Sequence, residues 1–507
     1  MKSALAIGLD VGTTGARAVL TDALGKTLAA HESSYGLLTP QPGWAEQIPD
    51  EWEAAAFEAM RTVVACVDDP ADVRAIGITG QMHGLVLLDR RLRPLRKAII
   101  WCDLRTTNQR FALEQKLGAA KFIQHTGNLP LEGFQAPKLE WVREHEPRLL
   151  DRTVHVLLPK DFIRLRLTNE LWTDVSDASG TGYFDPRARE WSKPMLDALE
   201  IDPSWLPGVC ESPSVAGRLT QSAGDRLGLP VGIPVAAGAG DQPAGGVAAR
   251  IIDDGDTVIT IGTSGVVFVA AKAYVASQDG TVQAGAHAIP ETWHIMGVTQ
   301  AAGLSLQWLR DTFSSDTSYA ELVGEAETSS AGSRGLLWLP YLQGERTPHL
   351  DADARAALVG LTAAHNRADV VRAVMEGVAF SLCDAVDAIK HIGASTRVFK
   401  LAGGGARSRL WCSIVASVLN ASVKVEPEGR GPAFGAALLG SVAGGEFDSV
   451  SQACEAMAIP AEVVDPNPAW VRVMAATLSR YRDLYPTLLS TNREASAVQK
   501  SATESLS

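Results

Sequence analysis

The sequence predicts an α/β protein built from two related domains. The chain has 507 residues, which is too long for one ordinary core and favours at least two large domains. Short apolar runs of strand length alternate with longer segments of helical spacing. A strand, a small-residue turn and a second strand also occur twice, around residues 11–15 and 261–265. We therefore expect one domain over residues 1–250, a second over 251–490 and a disordered polar tail over 491–507.

Composition and charge narrow the classes of function. The formal net charge is −12, which argues against a nucleic acid or an anionic membrane as partner. The six cysteines show no CxxC or Cys/His spacing, so we expect neither a zinc site nor disulfide bonds, as in a reducing cytoplasm. The N-terminus lacks the pattern of a signal peptide. The apolar stretch 370–389 carries four charged residues and therefore predicts a core helix rather than a membrane span.

The first predicted domain opens with three antiparallel strands. Apolar runs bounded by Gly and Thr predict a hairpin over 4–9 and 16–20, and a third strand over 26–34. A Pro-Asp-Glu start and apolar spacing then predict a helix over 49–67. The remaining elements of this domain are short strands, one helix and a polar loop: strands 73–79, 85–88, 98–101 and 154–158, helix 161–167 and loop 176–185.

A stretch dominated by Gly and Ala, residues 232–250, leads into the second predicted domain. Within it a strand over 235–237 ends in a tight turn at 238–241. The elements that follow are, in chain order, strands 257–261 and 266–270, helix 303–312, strand 336–342, helix 370–389, strand 398–401, and a Gly-rich stretch over 429–440 that opens a further helix.

The turn of the opening hairpin, residues 12–15, lies between a carboxylate and a guanidinium. Backbone N–H groups in such a Gly-rich turn can converge on an anion. Asp10 can then hold a metal ion near that anion, and Arg17 can offset the charge of the anion. The alternative is an ordinary hairpin turn with a solvated aspartate, and this stretch alone does not separate the two.

Three Gly-rich turns follow apolar strands, at 12–15, 262–265 and 403–405. Small residues let the backbone approach a ligand and Thr hydroxyls donate to phosphate oxygens, so these turns predict a nucleotide site between two domains. Asp241 lies in a further turn, about 20 residues before the second of them. Phosphoryl transfer needs a carboxylate that accepts the proton of the acceptor hydroxyl, and Asp241 fits that role. Without this context, an Asp in such a turn is usually an Asx-turn residue.

Familiar motifs of other enzyme classes are incomplete or missing. The Gly-Lys-Thr at 25–27 does not complete a P-loop, because Leu20 stands where the first Gly is needed. Gly238 and Gly240 do not complete a dinucleotide fingerprint, because Pro243 occupies the third Gly position. Neither GxSxG nor HExxH occurs. Hydride transfer, serine hydrolysis and zinc proteolysis therefore have no support.

Polar and aromatic residues of the first domain are candidates for binding a small neutral ligand. Gln81, Met82 and His83 follow a predicted strand and offer polar groups to a polyol. Trp101 and Phe134 can form an apolar wall against the carbon-bound face of a sugar. The alternative is that the histidine is structural and that both aromatic residues belong to the core.

Short motifs between about residues 5 and 485 resemble those of the FGGY carbohydrate kinases. They are DVGTT at 10–14, GQMHG at 80–84, LPKD at 158–161, SDASG at 176–180, GD at 240–241, GTSG at 262–265, PYLQGERTPH at 340–349 and GGGARS at 403–408. The combination of QMHG, LPKD and GERTPH is most similar to the branch of the family that phosphorylates D-xylulose. Glycerol kinases carry an Arg-Glu pair where Met82 and His83 stand here.

The resemblance implies the actin/hexokinase-like ATPase fold, with two ribonuclease-H-like α/β domains and with Mg-ATP and sugar in the cleft between them. It implies that Asp241 is the base that deprotonates the terminal hydroxyl of a ketopentose, and it fits Asp10 as the ligand of Mg²⁺. The residues assigned to the sugar are Gln81, Met82, His83, Trp101, Asp103, Phe134 and Gln242. Those assigned to the nucleotide are Thr13, Thr14, Arg17, Gly262, Thr263, Gly303, Gly404 and Gly405. Domain closure would exclude water and limit wasteful ATP hydrolysis.

Two places depart from the pattern typical of the xylulose branch. Cys102 and Leu104 stand where Asn and Gly are usual, and Gln242 stands where Asn follows the catalytic Asp. The implied activity is ATP-dependent phosphorylation of D-xylulose to D-xylulose 5-phosphate, and the alternative is another pentulose, such as ribulose, or a pentitol. A rival of another class is a non-kinase ATPase of the actin-like fold, which has no use for the QMHG loop. Members of the family are often homodimers, but no sequence feature here marks an interface.

Overall fold

The computed structural model describes residues 4–426 and 430–504. Three of the predictions extend outside the described residues. The predicted first domain begins with residues 1–3, the predicted Gly-rich stretch begins at residue 429, and the predicted tail ends with residues 505–507.

The described residues form strands and helices in alternation. Strands β1 to β24 span, in order, Leu5–Val11, Gly15–Asp22, Thr27–Ser34, Glu46–Gln47, Val73–Gly80, Val86–Leu88, Ala98–Ile99, His155–Leu157, Trp172–Asp174, Phe184–Asp185, Glu190–Trp191, Gly208–Cys210, Val215–Arg218, Pro234–Ala236, Ala239–Gly240, Asp256–Ile261, Gly265–Ala271, Gln283–Ala286, Trp293–Thr299, Leu337–Leu339, Ala357–Val359, Val398–Ala402, Val423–Val425 and Glu462–Val464. Helices α1 to α17 span, in order, Pro49–Val64, Thr107–Leu117, Ala119–Thr126, Gln135–His145, Pro147–Leu150, Pro159–Thr168, Val175–Ala178, Lys193–Ala198, Gln221–Leu227, Asp241–Ala248, Gly303–Phe313, Tyr319–Ala326, Arg367–His391, Arg409–Leu419, Pro432–Ala443, Val450–Ala456 and Pro468–Glu504. No helix in this part of the chain is both long and apolar enough to span a membrane.

Strands β1, β2 and β3 form an antiparallel meander, which confirms the predicted three-strand opening. Strand β1 also pairs in parallel with β5, and the sheet has the order β13-β14-β5-β1-β2-β3, with β15 on β5. Alternate residues of β2 face opposite ways, as the strand period requires. Ala18 and Leu20 pack in the cluster that contains Trp52 of α1, and Val19 packs with Ala433 and Ala437 of α15.

The hairpin recurs in the second half, as the sequence repeat predicts. Strands β16 and β17 are antiparallel, and β16 pairs in parallel with β22. The second sheet has the order β18-β19-β17-β16-β22-β23-β24. Each sheet therefore contains a hairpin whose first strand is extended by a parallel neighbour.

The chain folds as two compact units whose limits are more complex than two consecutive segments. The first unit contains residues 4–253, 270–294 and 430–458, and the remaining described residues form the second unit. The passage at 253–254 lies near the predicted limit at 250, but the two later segments return to the first unit. Helix α15 belongs there because it packs closely on the first sheet: a Cβ on Gly77 would lie 1.7 Å from the carbonyl oxygen of Ala436. The composition around residue 250 could not reveal this return to the first unit, because the return depends on packing between residues far apart in sequence.

Two stretches carry secondary structure where the sequence predicts none. The predicted loop 176–185 contains the short strand β10, which pairs with β11, and most of α7, which the Asp174 carboxylate caps by accepting the Ser176 N–H. Helix α17 continues to Glu504, where the sequence predicts a tail from 491 onward. Ser496 of this helix is buried, and its hydroxyl donates to Asp353 (2.5 Å) and accepts from Arg355 (2.7 Å).

Candidate active site

Two carboxylates that the sequence assigns to metal binding and base catalysis lie close together in the first unit. Asp10 lies opposite Arg17 in the opening hairpin. Its Oδ1 is buried and has no hydrogen-bond partner among the described residues. Burial and the nearby Asp241 carboxylate raise the pKa of Asp10 to about 7, while Arg17 acts to lower it. The unpartnered oxygen and the second negative charge make this a place where a cation would be stabilised.

Asp241 is the first residue of α10, and Gly240 of β15 is its N-cap. The predicted tight turn at 238–241 is thus a short strand that leads directly into a helix. Gly238 has a φ of +84°, and a Cβ there would lie 2.0 Å from the carbonyl oxygen of Ile78, so this position requires glycine. Burial raises the pKa of Asp241 to about 6, while hydrogen bonds from the backbone and side chain of Gln242 lower it. The carboxylate is therefore mostly ionised at neutral pH and can accept a proton.

The QMHG loop lies against the Asp241 turn. A Cβ on Gly240 would lie 2.7 Å from Cγ of Met82, so the thioether side chain packs directly on this glycine. The ring of His83 stacks on Phe134, with centroids 4.5 Å apart and planes at 19°. The backbone φ of His83 is +69°, which is unusual for a residue with a side chain. The structure thus packs Met82 on the turn that carries the predicted base, and it stacks two further predicted sugar residues, His83 and Phe134, on each other.

Other residues predicted for the sugar make well-defined contacts within the fold. Trp101 is 40% exposed and its Nε1 donates to Thr13 Oγ1 (3.0 Å), so it is not a core residue. Asp103 is buried, and its carboxylate accepts from Arg105 through both oxygens and from the backbone N–H of Ala45. The carboxylate of Asp103 is therefore committed to partners within the protein, Arg105 in its own loop and Ala45 in a distant segment.

The amide nitrogen of Gln81 is also committed within the protein, whereas its buried Oε1 has no hydrogen-bond partner among the described residues. The side chain is fully buried, and its Nε2 donates to the Gly12 carbonyl (3.1 Å) and to Gln47 Oε1 (2.8 Å). Gln81 thereby supports the opening Gly-rich turn. Gln242, the last of the predicted sugar residues, is half-buried and is hydrogen-bonded to Asp241.

The residues of the opening turn are accessible. Thr14 and Arg17 are exposed, and Thr13 is half-buried. The Arg17 guanidinium lies 4.0 Å from Glu32 on the neighbouring strand, and this exposed pair is weak. The side chains of Thr14 and Arg17 can therefore turn toward an anion, whereas the Thr13 hydroxyl already accepts a hydrogen bond from Trp101.

In the second unit, three separate segments meet at the end of β16. The Gly303 N–H donates to the Gly262 carbonyl (2.7 Å), and the Leu304 N–H donates to the Thr263 carbonyl (3.1 Å). A Cβ on Gly303 would lie 2.6 Å from that Gly262 oxygen, and one on Gly405 would lie 2.5 Å from Ile261 Cγ2. A Cβ on Gly404 would meet nothing within 4 Å, so the backbone of this residue faces open space. The structure thus gathers the residues of this unit that are predicted to bind the nucleotide.

A buried polar cluster behind the Asp241 turn is absent from the predicted site. Lys160 Nζ donates to Asp161 (2.6 Å) and lies 2.9 Å from Asp174 and 3.5 Å from Asp177. Burial alone would lower the pKa of Lys160, but the three carboxylates raise it above its ordinary value. Burial raises the pKa of Asp177 well above its ordinary value, against the effect of Lys160. Charged residues in the LPKD and SDASG motifs were the available signal, but the sequence does not show that they share one buried cluster.

Lys138 is a second residue that the sequence does not reveal. It lies on α4, wholly buried, and its Nζ donates to the carbonyls of His83 (2.8 Å) and Gly133 (2.6 Å). Burial lowers its pKa to about 7, although Asp103 and Cys102 act to raise it. Lys138 therefore supports the strained backbone of the QMHG loop from inside the protein.

Two family models match the chain in succession. Residues 5–248 match the N-terminal domain of the FGGY family of carbohydrate kinases, and residues 257–444 match its C-terminal domain. This chain belongs to the FGGY family of carbohydrate kinases. It is therefore a carbohydrate kinase, and ATP is its phosphate donor. The predicted α/β fold class, that of the actin/hexokinase-like ATPases, is confirmed.

Individual FGGY kinases resemble the chain over nearly its full length. A xylulose kinase from Bacillus subtilis is 37% identical over 481 residues, which cover 94% of this chain and 96% of that relative. The crystal structure of a xylulose kinase from Rhodospirillum rubrum is 30% identical, with a TM-score of 0.89 and coverage of 96% and 99% of the two chains. A gluconate kinase from Lactobacillus acidophilus has a TM-score of 0.91 at 27% identity, over 96% of this chain and 98% of its own. Similarity of fold alone thus does not separate substrates within the family.

Proposed function

We propose that this FGGY kinase transfers the γ-phosphoryl group of ATP to the terminal hydroxyl of D-xylulose, giving D-xylulose 5-phosphate and ADP. The observation that supports it most is the packing of the QMHG loop against the turn that carries Asp241. The identity of 37% to a xylulose kinase over 94% of the chain favours D-xylulose among the sugars that such a loop can bind.

In this proposal Asp241 is the general base. Its carboxylate accepts the proton of the C5 hydroxyl while the hydroxyl oxygen bonds to the γ-phosphorus. The bond between that phosphorus and the β,γ-bridging oxygen breaks, and ADP leaves. A pKa of about 6 keeps Asp241 ionised at neutral pH and makes it a stronger base than an exposed aspartate.

Asp10 fits a divalent cation. Its buried Oδ1 has no partner among the described residues, and the neighbouring Asp241 carboxylate raises its pKa. Mg²⁺ usually binds through one or two carboxylates together with phosphate oxygens, so Asp10 would hold the Mg²⁺ of Mg-ATP. The chemistry that this ion supplies when bound is neutralisation of charge on the phosphate oxygens.

The remaining roles are proposed for side chains around these loops. For the sugar, the exposed Trp101 and the half-buried His83 offer an apolar wall and a polar edge, and the buried Met82 and Phe134 lie beside His83. Contacts with the nucleotide are proposed for the side chains of Thr13, Thr14 and Arg17 and for the gathered backbone at Gly262, Thr263, Gly303, Gly404 and Gly405. Hydroxyl, guanidinium and backbone N–H groups of this kind can donate hydrogen bonds to phosphate oxygens.

We also propose that the enzyme works in the cytoplasm. All six cysteines lie in the described part of the chain, and none is joined in a disulfide bond.

A panel of sugars tests the proposed substrate. ADP release with Mg-ATP is measured by a coupled assay for D-xylulose, D-ribulose, xylitol and gluconate. We expect D-xylulose to give the highest kcat/KM by at least tenfold. A higher value for another pentulose, a pentitol or gluconate would contradict the substrate assignment, and ADP release that no sugar stimulates would contradict kinase activity.

A further inference from the structure

The hydroxyl of Ser176 lies directly behind the catalytic turn. Ser176 is in α7 and is completely buried. Its Oγ accepts a hydrogen bond from the Gly240 N–H (3.3 Å) and donates its own proton to Asp174 Oδ2 (2.5 Å). The one hydroxyl proton is therefore already committed within the protein, which leaves Ser176 no donor for a substrate.

The orientation of Ser176 is fixed by a buried carboxylate. Asp174 Oδ2 also accepts from the Ser176 backbone N–H (2.7 Å) and from Ser212 Oγ (2.7 Å). The other carboxylate oxygen of Asp174 lies 2.9 Å from Lys160 Nζ. The bond from the Ser176 hydroxyl to Asp174 thus fixes the acceptor lone pair that Ser176 presents to Gly240, and the Ser176 N–H and Lys160 still hold Asp174 when the Ser212 hydroxyl is removed.

The segment that carries Asp241 is supported from both sides. On the side of β5, Thr79 Oγ1 donates to the Ala239 carbonyl (2.8 Å), and β15 pairs with this strand. On the other side, the Gly238 N–H donates to the backbone carbonyl of Ser212 (3.0 Å), and the Gly240 N–H donates to Ser176. Of the two contacts on the side away from β5, the Ser176 contact is the nearer to Asp241 in sequence, and it is the one made by a side-chain hydroxyl.

We propose that Ser176 is a positioning residue of the phosphoryl-transfer reaction: by accepting the Gly240 N–H, it fixes the backbone from which the Asp241 carboxylate extends. This inference rests on the proposed role of Asp241 as base. An aspartate carboxylate is separated from its backbone by one methylene group, so a shift of Gly240 moves the carboxylate by a similar distance. Displacing a catalytic group by about 1 Å can cost roughly 10²-fold in rate.

The test compares Ser176→Ala with the matched control Ser212→Ala. Both serines are buried and donate to the same Asp174 oxygen, but only Ser176 binds Gly240 through its hydroxyl, and the Ser212 carbonyl survives the substitution. We expect S176A to lower kcat at least tenfold while KM for ATP and for D-xylulose changes less than threefold. S212A should keep kcat within twofold. Equal kcat values for S176A and S212A would overturn the proposal, and so would an S176A effect confined to KM for the sugar, which would make Ser176 a ligand.

If S176A does not fold, Ser176→Thr and Ser176→Val replace it, because they have the same shape and differ only in the hydroxyl. We expect kcat of S176T to be at least tenfold higher than kcat of S176V, and equal kcat values for these two variants would overturn the proposal. Asp241→Asn, measured in parallel, separates a failure of the proposed role of Asp241 from a failure of the proposed role of Ser176. An active D241N would contradict the role of Asp241 itself, whereas an inactive D241N with S176A equal to S212A would contradict only the role of Ser176.

Discussion

Lys138 shows how a single buried side chain can set part of the pH dependence of stability. Burial lowers its pKa from 10.5 to about 7 in the folded protein. Between pH 7 and 10 the unfolded chain therefore holds a proton at this site that the folded chain has lost. The free energy of unfolding then gains about 1.4 kcal/mol per pH unit from this group as the pH rises. This contribution is lost as the pH falls through 7.

Replacing Lys138 by Met should remove that gain, because methionine does not titrate. Urea unfolding at pH 7, 8 and 9 measures the free energy of unfolding, and we expect K138M to become relatively less stable than the wild type as the pH increases. Lys193→Met is the matched control, since Lys193 is 84% exposed and contacts Asp197 on the same helix. Parallel pH profiles for K138M and the wild type would contradict the assigned pKa.

The role of a single residue could be predicted from the sequence only where a local pattern marks that residue. Asp10 and Asp241 stand beside Gly-rich turns, and this context predicts their proximity to a ligand. Ser176 and Lys138 could not be assigned in this way, because their partners Gly240 and His83 lie far from them in sequence. Asp103 stands in a family motif, but its carboxylate is used by Arg105, a contact that the motif does not reveal.

Helix α15 shows how close packing between elements supports the active-site region. Its Gly435 lies against α10, the helix that begins at Asp241, and a Cβ on Gly435 would lie 1.9 Å from the carbonyl oxygen of Ala244. A backbone oxygen cannot rotate away as a side chain can. Gly435→Ala should therefore separate the two helices and lower the free energy of unfolding by about 1–3 kcal/mol.

Gly324 of α12 provides the opposite case. It also lies inside a helix, but nothing is within 4 Å of the position of its Cβ. Gly324→Ala should raise the free energy of unfolding by up to about 1 kcal/mol, because alanine has the higher helix propensity. Chemical denaturation of G435A, G324A and the wild type measures the three free energies of unfolding. A G435A protein as stable as G324A would show that the contact with α10 is not tight.

For the whole molecule, the sequence predicted the repeated architecture but not how the chain is divided. The two Gly-rich hairpins are local and similar, so their antiparallel strands could be expected, whereas the parallel neighbour of each first strand was not predicted. The return of residues 270–294 and 430–458 to the first unit depends on long-range packing, which local composition does not record. The same is true of Ser496, whose contacts with Asp353 and Arg355 lie in a segment of polar, tail-like composition.

The central claim is that this FGGY kinase phosphorylates a sugar hydroxyl with Asp241 as the base. The measurement that tests it most directly is the rate of ADP release stimulated by D-xylulose in Asp241→Asn, compared with the wild type at neutral pH. Because burial raises the pKa of Asp241, the neutral amide should fold at least as well as the wild type, which thermal unfolding can verify. We expect the sugar-stimulated rate of D241N to fall by about 10²- to 10⁴-fold. A folded D241N protein that turns over D-xylulose at nearly the wild-type rate would contradict the claim.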